Sequence, residues 1–368
     1  MKITAAVVRE KGGPFLIEEV ELDEPRHDEI IVRNFATGIC HTDLVIRDQF
    51  LPIPLPAVLG HEGAGVVEKV GVSVSKVKPG DRVVMSFHAC GHCHPCAEGD
   101  PAYCDGFMQN NFSGKRVDGS GSVYLDGEEI SANFFQQSSF ATHSLVTERN
   151  IVKLSSDTSD ESLALFAPLG CGIQTGAGAV LNSLAVKAGS SIVVFGAGTV
   201  GMSAIMAAKL AGCGTIVAVD INPERLELAK ELGATHVVNG KDADAVEFVQ
   251  ALTKGADYSL ETTASPIVLR QAVECLHVRG VCGSVGLPPA GTEVTFDMVS
   301  ILFGRTLKGI IEGDSVPDVF INRLIDLYEQ GKFPFDRLIK HYDFADINTA
   351  VRETEEGGVL KAVLHMPL

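Results

Sequence analysis

The sequence predicts an α/β chain in two parts, one mostly β and barrel-like, the other a parallel sheet wrapped by helices. Three observations carry this prediction. A length of 368 residues is more than one core comfortably fills. Up to about residue 150, short apolar runs are separated by Gly and Pro with no helical rhythm between them. From Thr175 onward, strand-like and helix-like segments alternate, which is the pattern of a parallel sheet with crossover helices.

In the first part the predicted strands are Glu29–Phe35, Gly65–Val70, Arg82–Phe87 and Ser144–Val146. In the second they are Ser191–Phe195, Thr215–Val219, His236–Val238, Tyr258–Glu261 and Val281–Val285. The helix between Asp220 and His236 is well punctuated: Asn222 can cap it, Pro223 suits its first turn, and Gly233 follows Leu226, Ala229 and Leu232 on one face. After Gly313 two helical patterns and a last strand, Val359–Leu364, complete the chain.

Composition excludes several functions. Hydrophobic residues make up 45%, enough for a packed core, and the formal charge of −17 repels nucleic acid and anionic lipid. The opening MKITAAVVREKGG interrupts its apolar run at Arg9, Glu10 and Lys11, unlike a signal-peptide core. The apolar stretch Ala204–Val219 carries Lys209 and glycines and reads as helix then strand, not a membrane span. A cytoplasmic location follows as the expectation, with no nucleic-acid or membrane partner, and reduced thiols for the nine cysteines.

VVFGAGTVG places Gly196, Gly198 and Gly201 in G-x-G-x-x-G form, with Thr199 and Val200 inside the turn, after an apolar strand and before a helix. The first glycine permits a tight turn, the second lets backbone approach a pyrophosphate, and the third lets helix and strand pack closely. Asp220 ends the next strand, where a carboxylate accepts ribose hydroxyls and repels a 2′-phosphate, which favours NAD over NADP. Arg225 lies close by, expected to flank the adenosine. A structural turn with a capping Asp is the bland alternative, but strand, turn, helix and acid together favour a Rossmann-type NAD site.

Cys90, Cys93, Cys96 and Cys104 form C-x2-C-x2-C-x7-C in one polar loop. Four soft thiolates in a reducing compartment favour a closed structural zinc site over an iron–sulfur cluster or disulfides. His92 and His94 read as bystanders. Cys40 in GICHTD, His61 in GHEGAG and Cys171 in LGCGIQTG are each weak signals alone, since a lone Cys is usually a small buried hydrophobe, as Cys213, Cys275 and Cys282 are read here.

Taken in order, GICHTD, GHEGAG, the Cys90–Cys104 cluster, GCGIQTGAG, FGAGTVG and AVD resemble the zinc-containing medium-chain alcohol dehydrogenases along the whole chain. FFQQSSFATH, LGCGIQTGAG and GKFPFDRLIK look most like bacterial aryl-alcohol (benzyl alcohol) dehydrogenases. The resemblance implies a GroES-like catalytic domain over 1–173 and 313–368 and a Rossmann domain over 174–312. It implies a catalytic zinc on Cys40, His61 and Cys171, a ligand set long described for alcohol dehydrogenase and not a product of spacing. Glu62 would be a nearby carboxylate able to swing to the metal, and Asp43 would orient His61. Thr42 would pass the alcohol proton outward, with His41 near the pyrophosphate. Thr175 would sit near the nicotinamide, Val285 and Leu287 beside the cofactor, and Lys361 near the phosphates.

One departure stands out: Val45 occupies the position where many relatives carry a histidine base, so the end of the proton relay is open between ribose with His41 and water. Phe87, Phe107, Phe112, Phe140 and Leu287 are candidate pocket walls, each as readily plain core. The expected reaction is zinc- and NAD-dependent interconversion of primary benzyl-type alcohols and aldehydes by a homotetramer or homodimer. Allylic terpenoid alcohols such as geraniol are the near alternative. A zinc-free quinone or enal reductase and a non-catalytic binding protein are the distant ones.

Overall fold

A computed structural model describes residues 1–367. The chain forms two compact units: Met1–Cys171 with Val316–Ile325 and the stretch from Asp336 onward, and Gly172–Ser315 with Asp326–Phe335. The divisions thus fall at Cys171/Gly172 and Ser315/Val316, slightly off the positions read from sequence. The segment Asp326–Phe335 belongs with the second unit, and within it Tyr328 and Phe333 each pack against Phe335.

The first unit holds two sheets. One orders Ala57–Val58, Lys2–Val8, Phe15–Leu22, Val123–Leu125 and Glu128–Ile130. The other orders Ile151–Lys153, Arg82–Met85, Glu62–Val70, Glu29–Gly38, Lys361–His365 and Ile339–Asp343, with His143–Thr147 also paired to Glu29–Gly38. Pairing is antiparallel throughout except between Ile339–Asp343 and Lys361–His365. The sequence misses Lys2–Val8 and Phe15–Leu22, although Lys2–Val8 is buried along most of its length.

Register in the larger sheet positions the site. Gly38 pairs with Glu62, so the strand leading to Cys40 ends where the strand following His61 begins. Gly38 also pairs with Val363, which brings the start of the last strand, Lys361, to the same end. Three distant stretches of sequence converge there through the pairing of the strands.

The second unit is a six-stranded sheet, parallel throughout, whose strands taken in chain order lie 3-2-1-4-5-6. That is the doubly wound Rossmann order, with its crevice at the carboxyl end of the first strand. Ser191–Phe195, the central strand, is buried at all five positions, as expected with helices on both faces. The helix Pro223–Leu232 forms as its punctuation predicts: Asn222 Oδ1 accepts from the Glu224 and Arg225 N–H groups, and Leu226, Ala229 and Leu232 are buried. Ala204–Val219 is helix then strand, and no single helix among the described residues is long and apolar enough to cross a membrane. The sixth strand, Thr306–Gly309, escapes the sequence reading because it is short and largely exposed at the sheet edge.

Candidate active site

Cys40 caps the short helix His41–Arg47, and Asp43 at its third position returns a carboxylate oxygen to the Cys40 N–H at 2.9 Å. The other oxygen of Asp43 accepts from the Gly60 N–H at 3.1 Å and faces His61 Nδ1 at 2.8 Å. Asp43 and His61 are both fully buried. One carboxylate therefore ties the helix start to the imidazole.

The donor atoms of Cys40, His61 and Cys171 lie within 4.8 Å of one another. Among the described residues His61 Nε2 has no hydrogen-bond partner, although it is buried. A buried nitrogen lone pair facing two thiols is what a metal ion satisfies, and it is otherwise costly. Hydrogen bonding from the Cys171 thiol holds the Cys40 thiol well below the usual range despite its burial, with His61 and Lys361 adding to the effect. These groups fit a zinc ion with one position left open.

The cluster Cys90, Cys93, Cys96 and Cys104 likewise places its four sulfurs within 4.8 Å of one another. Cys90 and Cys96 sulfurs are 4.0 Å apart and those of Cys93 and Cys104 are 3.8 Å apart. Four thiolates about 2.3 Å from a tetrahedral zinc stand about 3.8 Å from each other, so the cage is already shaped for the ion. Burial would raise the Cys90 thiol, but backbone N–H groups of His92 and Cys93 overcome it and lower it to about 6. His92 and His94 turn outward, to the Cys90 carbonyl and to Glu98. None of the nine cysteines forms a disulfide.

Lys361, which the resemblance sets near the phosphates, is held by partners within the first unit. Its ammonium donates to both Glu62 carboxylate oxygens at 2.9 and 2.8 Å and to the Ile39 carbonyl at 2.9 Å, with 2% of the residue exposed. It is thus a buried partner of Glu62 and has no donor left over. Burial alone would lower its pKa, but the adjoining Glu62 carboxylate overrides that and raises it. Thr42 Oγ1 lies 3.8 Å from Cys40 Sγ, His41 is exposed, and Val45 is half-buried on the same helix.

The aromatic surroundings were only partly foreseen. Phe135 stacks on the His61 ring at 4.5 Å and 25°, and Phe134 meets it edge-on at 5.3 Å. Phe112 and Phe107 pack on Phe135, and Phe87 on Phe107. Phe140 packs edge-on against Phe15 in the core. Leu287, in the second unit, is exposed. Phe134 and Phe135 were missed because their run FFQQSS carries no period of either helix or strand.

In the second unit the three glycines of the turn differ in their surroundings. Gly196 has φ of 91°, a Cβ on Gly198 would meet nothing within 4 Å, and one on Gly201 would lie 1.8 Å from the Gly196 carbonyl oxygen. Gly198 caps the helix Thr199–Leu210, leaving Thr199 and Val200 in its first turn. Asp220 accepts from the Ala197 N–H at 2.6 Å and from the Ile221 and Asn222 N–H groups at 2.7 and 2.8 Å. Its carboxylate is thereby locked beside the turn. Val285 continues the fifth strand, its N–H on the Glu261 carbonyl, and the buried Thr175 hydroxyl donates to Glu312.

With this geometry in hand, similarity to known proteins is informative. Residues 26–156 match the alcohol dehydrogenase GroES-like domain and 199–330 match the zinc-binding dehydrogenase domain. Geraniol dehydrogenase of Castellaniella defragrans is 46% identical over 98% of this chain and 96% of its own. The benzyl alcohol dehydrogenase structure from Acinetobacter calcoaceticus superposes with TM-score 0.95 at 46% identity, covering 100% of both chains. An alcohol dehydrogenase zinc-binding domain protein from Burkholderia ambifaria superposes with TM-score 0.97 at 52% identity, again covering 100% of both. Sequence motifs, sheet order, thiol cages and full-length relatives agree, and the chain belongs to the zinc-containing medium-chain alcohol dehydrogenases.

Proposed function

We propose that this alcohol dehydrogenase uses zinc and NAD to interconvert primary benzyl-type alcohols and their aldehydes. The observation that carries the substrate class is a phenylalanine cluster: Phe134 and Phe135 meet the ring of His61, Phe112 and Phe107 pack on Phe135, and Phe87 packs on Phe107. Flat unsaturated groups gain from edge-to-face and offset contact with such rings, about 0.5–1.5 kcal/mol per pair beyond burial. An aliphatic chain gains only the area term.

Cys40, His61 and Cys171 would hold a zinc ion, which supplies Lewis acidity that makes an alcohol O–H acidic near neutral pH. NAD supplies the hydride acceptor. Asp43 takes the His61 Nδ1 proton in a hydrogen bond and so leaves Nε2 as the ligating atom. Thr42 Oγ1, beside Cys40, takes the alcohol proton and passes it to solvent or to His41 at the helix start. Lys361 neutralises Glu62 and restrains it from the ligand cluster, so Lys361 is assigned to that pair and not to phosphate. Gly196, Gly198, Thr199, Val200 and Gly201 cradle the pyrophosphate, Asp220 selects an unphosphorylated ribose, and Arg225 flanks the adenosine. Thr175, Val285 and Leu287 serve the nicotinamide side. Cys90, Cys93, Cys96 and Cys104 would hold a second, structural zinc.

A homo-oligomer is part of the same reading. The sheet of the second unit ends in the exposed strand Thr306–Gly309, and Met298, Leu302 and Phe303 just before it are 87%, 76% and 62% exposed. An apolar patch beside an open sheet edge is what a second copy covers. A cytoplasmic setting, where thiols stay reduced, is part of the same reading.

The allylic reading retains support from the geraniol dehydrogenase relative. Steady-state assays with NAD and benzyl, cinnamyl, geranyl and hexyl alcohols separate the two. Benzyl alcohol is expected to exceed hexanol in kcat/KM by about tenfold or more, the scale of pocket discrimination among apolar groups. A geraniol value above the benzyl value would shift the assignment to terpenoid alcohols. No turnover of any of the four would contradict both.

A further inference from the structure

The segment Phe134–Ser138 is strained, buried and attached to the His61 backbone. Phe135, Gln136 and Ser138 have φ of 51°, 51° and 43°, left-handed values that side chains other than glycine rarely adopt. Such a turn persists only where its surroundings over-determine it. Here Asn150 Nδ2 donates to the Gln136 carbonyl at 2.9 Å, and Gln136 Nε2 donates to the Asn110 and Lys115 carbonyls, each at 2.7 Å. The Ser138 hydroxyl accepts from the Phe134 N–H at 3.0 Å and donates to the Val58 carbonyl at 2.7 Å.

The strained backbone places two side chains on His61. Gln137, 1% exposed, donates from Nε2 to the His61 carbonyl at 2.9 Å and to the Ser86 carbonyl at 3.1 Å, and its Oε1 accepts from the Gly63 N–H at 3.2 Å. The amide therefore grips the backbone on both sides of Glu62, directly after His61, and ties it to Ser86 just past the strand Arg82–Met85. Phe135 then covers one face of the imidazole and Phe134 meets it edge-on. Asp43 holds Nδ1, so Nε2 is the nitrogen left to face the thiols.

We propose that Phe135 and Gln137 are positioning residues for His61: the strained turn aims the imidazole Nε2 at the thiols of Cys40 and Cys171. This rests on the reading of that trio as a zinc site. It explains why strain is maintained at this turn. Ordinary right-handed geometry would carry Phe135 off the ring and Gln137 off the His61 carbonyl.

The test is zinc release from the loaded enzyme into an excess of chromogenic chelator, with the Cys90–Cys104 zinc as internal control. Wild type is expected to give two phases, and Cys171→Ser, lacking the trio, identifies which phase belongs to it. Phe135→Leu, apolar but without a planar face, should accelerate the trio phase by about tenfold or more, the range typical of lost outer contacts at zinc sites. Phe135→Tyr, which keeps the ring face, should restore the wild-type rate, and the four-thiolate phase should not change in either variant. Equal acceleration of both phases, or an unaltered trio phase in Phe135→Leu, would overturn the proposal. Gln137→Asn, too short to span both carbonyls, provides the same reading if Phe135→Leu does not fold. A wild-type enzyme carrying a single zinc is a different failure, that of the zinc reading itself.

Discussion

Lys361 and Glu62 form a buried ion pair at 2.8 Å, each almost without exposure to solvent, at the end of the sheet where Cys40 and His61 also meet. Two charges so placed owe their stability to each other, since burial removes both from bulk solvent.

Removing the cation alone should therefore be costly. Lys361→Met is expected to destabilise the first unit by about 3–5 kcal/mol, the usual consequence of leaving a buried charge unpaired. The double variant Lys361→Met, Glu62→Gln should recover most of that loss in denaturant titrations. A single variant within about 0.5 kcal/mol of wild type would place Lys361 at the surface in solution, as a substitution free of buried contacts behaves.

The glycine turn makes two separable predictions. Gly198→Ala adds a methyl to open space in the free protein, so denaturation should change by no more than about 1 kcal/mol while NADH affinity falls sharply. Gly201→Ala drives a methyl to 1.8 Å from the Gly196 carbonyl oxygen and should weaken folding as well as binding. Fluorescence titration with NADH beside thermal denaturation distinguishes them. Unchanged NADH affinity in Gly198→Ala would remove the pyrophosphate from this turn.

Thiol chemistry should be uneven. Burial pushes Cys282 up to about 12 and raises Cys275 still further, and both are fully buried in the second unit. Because only the thiolate attacks, at pH 8 about one Cys282 in 10,000 is reactive, against about one in ten for a thiol of pKa 9. Iodoacetamide at pH 8 followed by peptide mass mapping should leave both unmodified in the folded enzyme and label both in denaturant. Labelling of native Cys282 at the rate of an exposed thiol would contradict this packing.

Local chemistry was legible in the sequence, and long-range assembly was not. Asn222, Pro223 and Gly233 announce one helix because capping involves residues a few positions apart. The same is true of the Gly196–Gly201 turn and of the four thiols from Cys90 to Cys104. Cys171 joins Cys40 only through the fold, so resemblance alone connected them beforehand. The pairing of Gly38 with both Glu62 and Val363 brings Lys361 to Glu62, a neighbour that nothing near Lys361 in the sequence announces. Phe135 and Gln137 were invisible for a related reason. Their role comes from left-handed backbone, which no pattern of apolar residues encodes.

The central claim is that Cys40, His61 and Cys171 share one zinc ion that turnover requires. Metal analysis of wild type and Cys171→Ala, beside alcohol oxidation and a thermal melt, tests it most directly. Two zinc ions per chain are expected in wild type and one in the variant, with cooperative melting retained and nearly all turnover lost. A Cys171→Ala enzyme that keeps both zinc ions, or that oxidises alcohol at the wild-type rate, would contradict the claim.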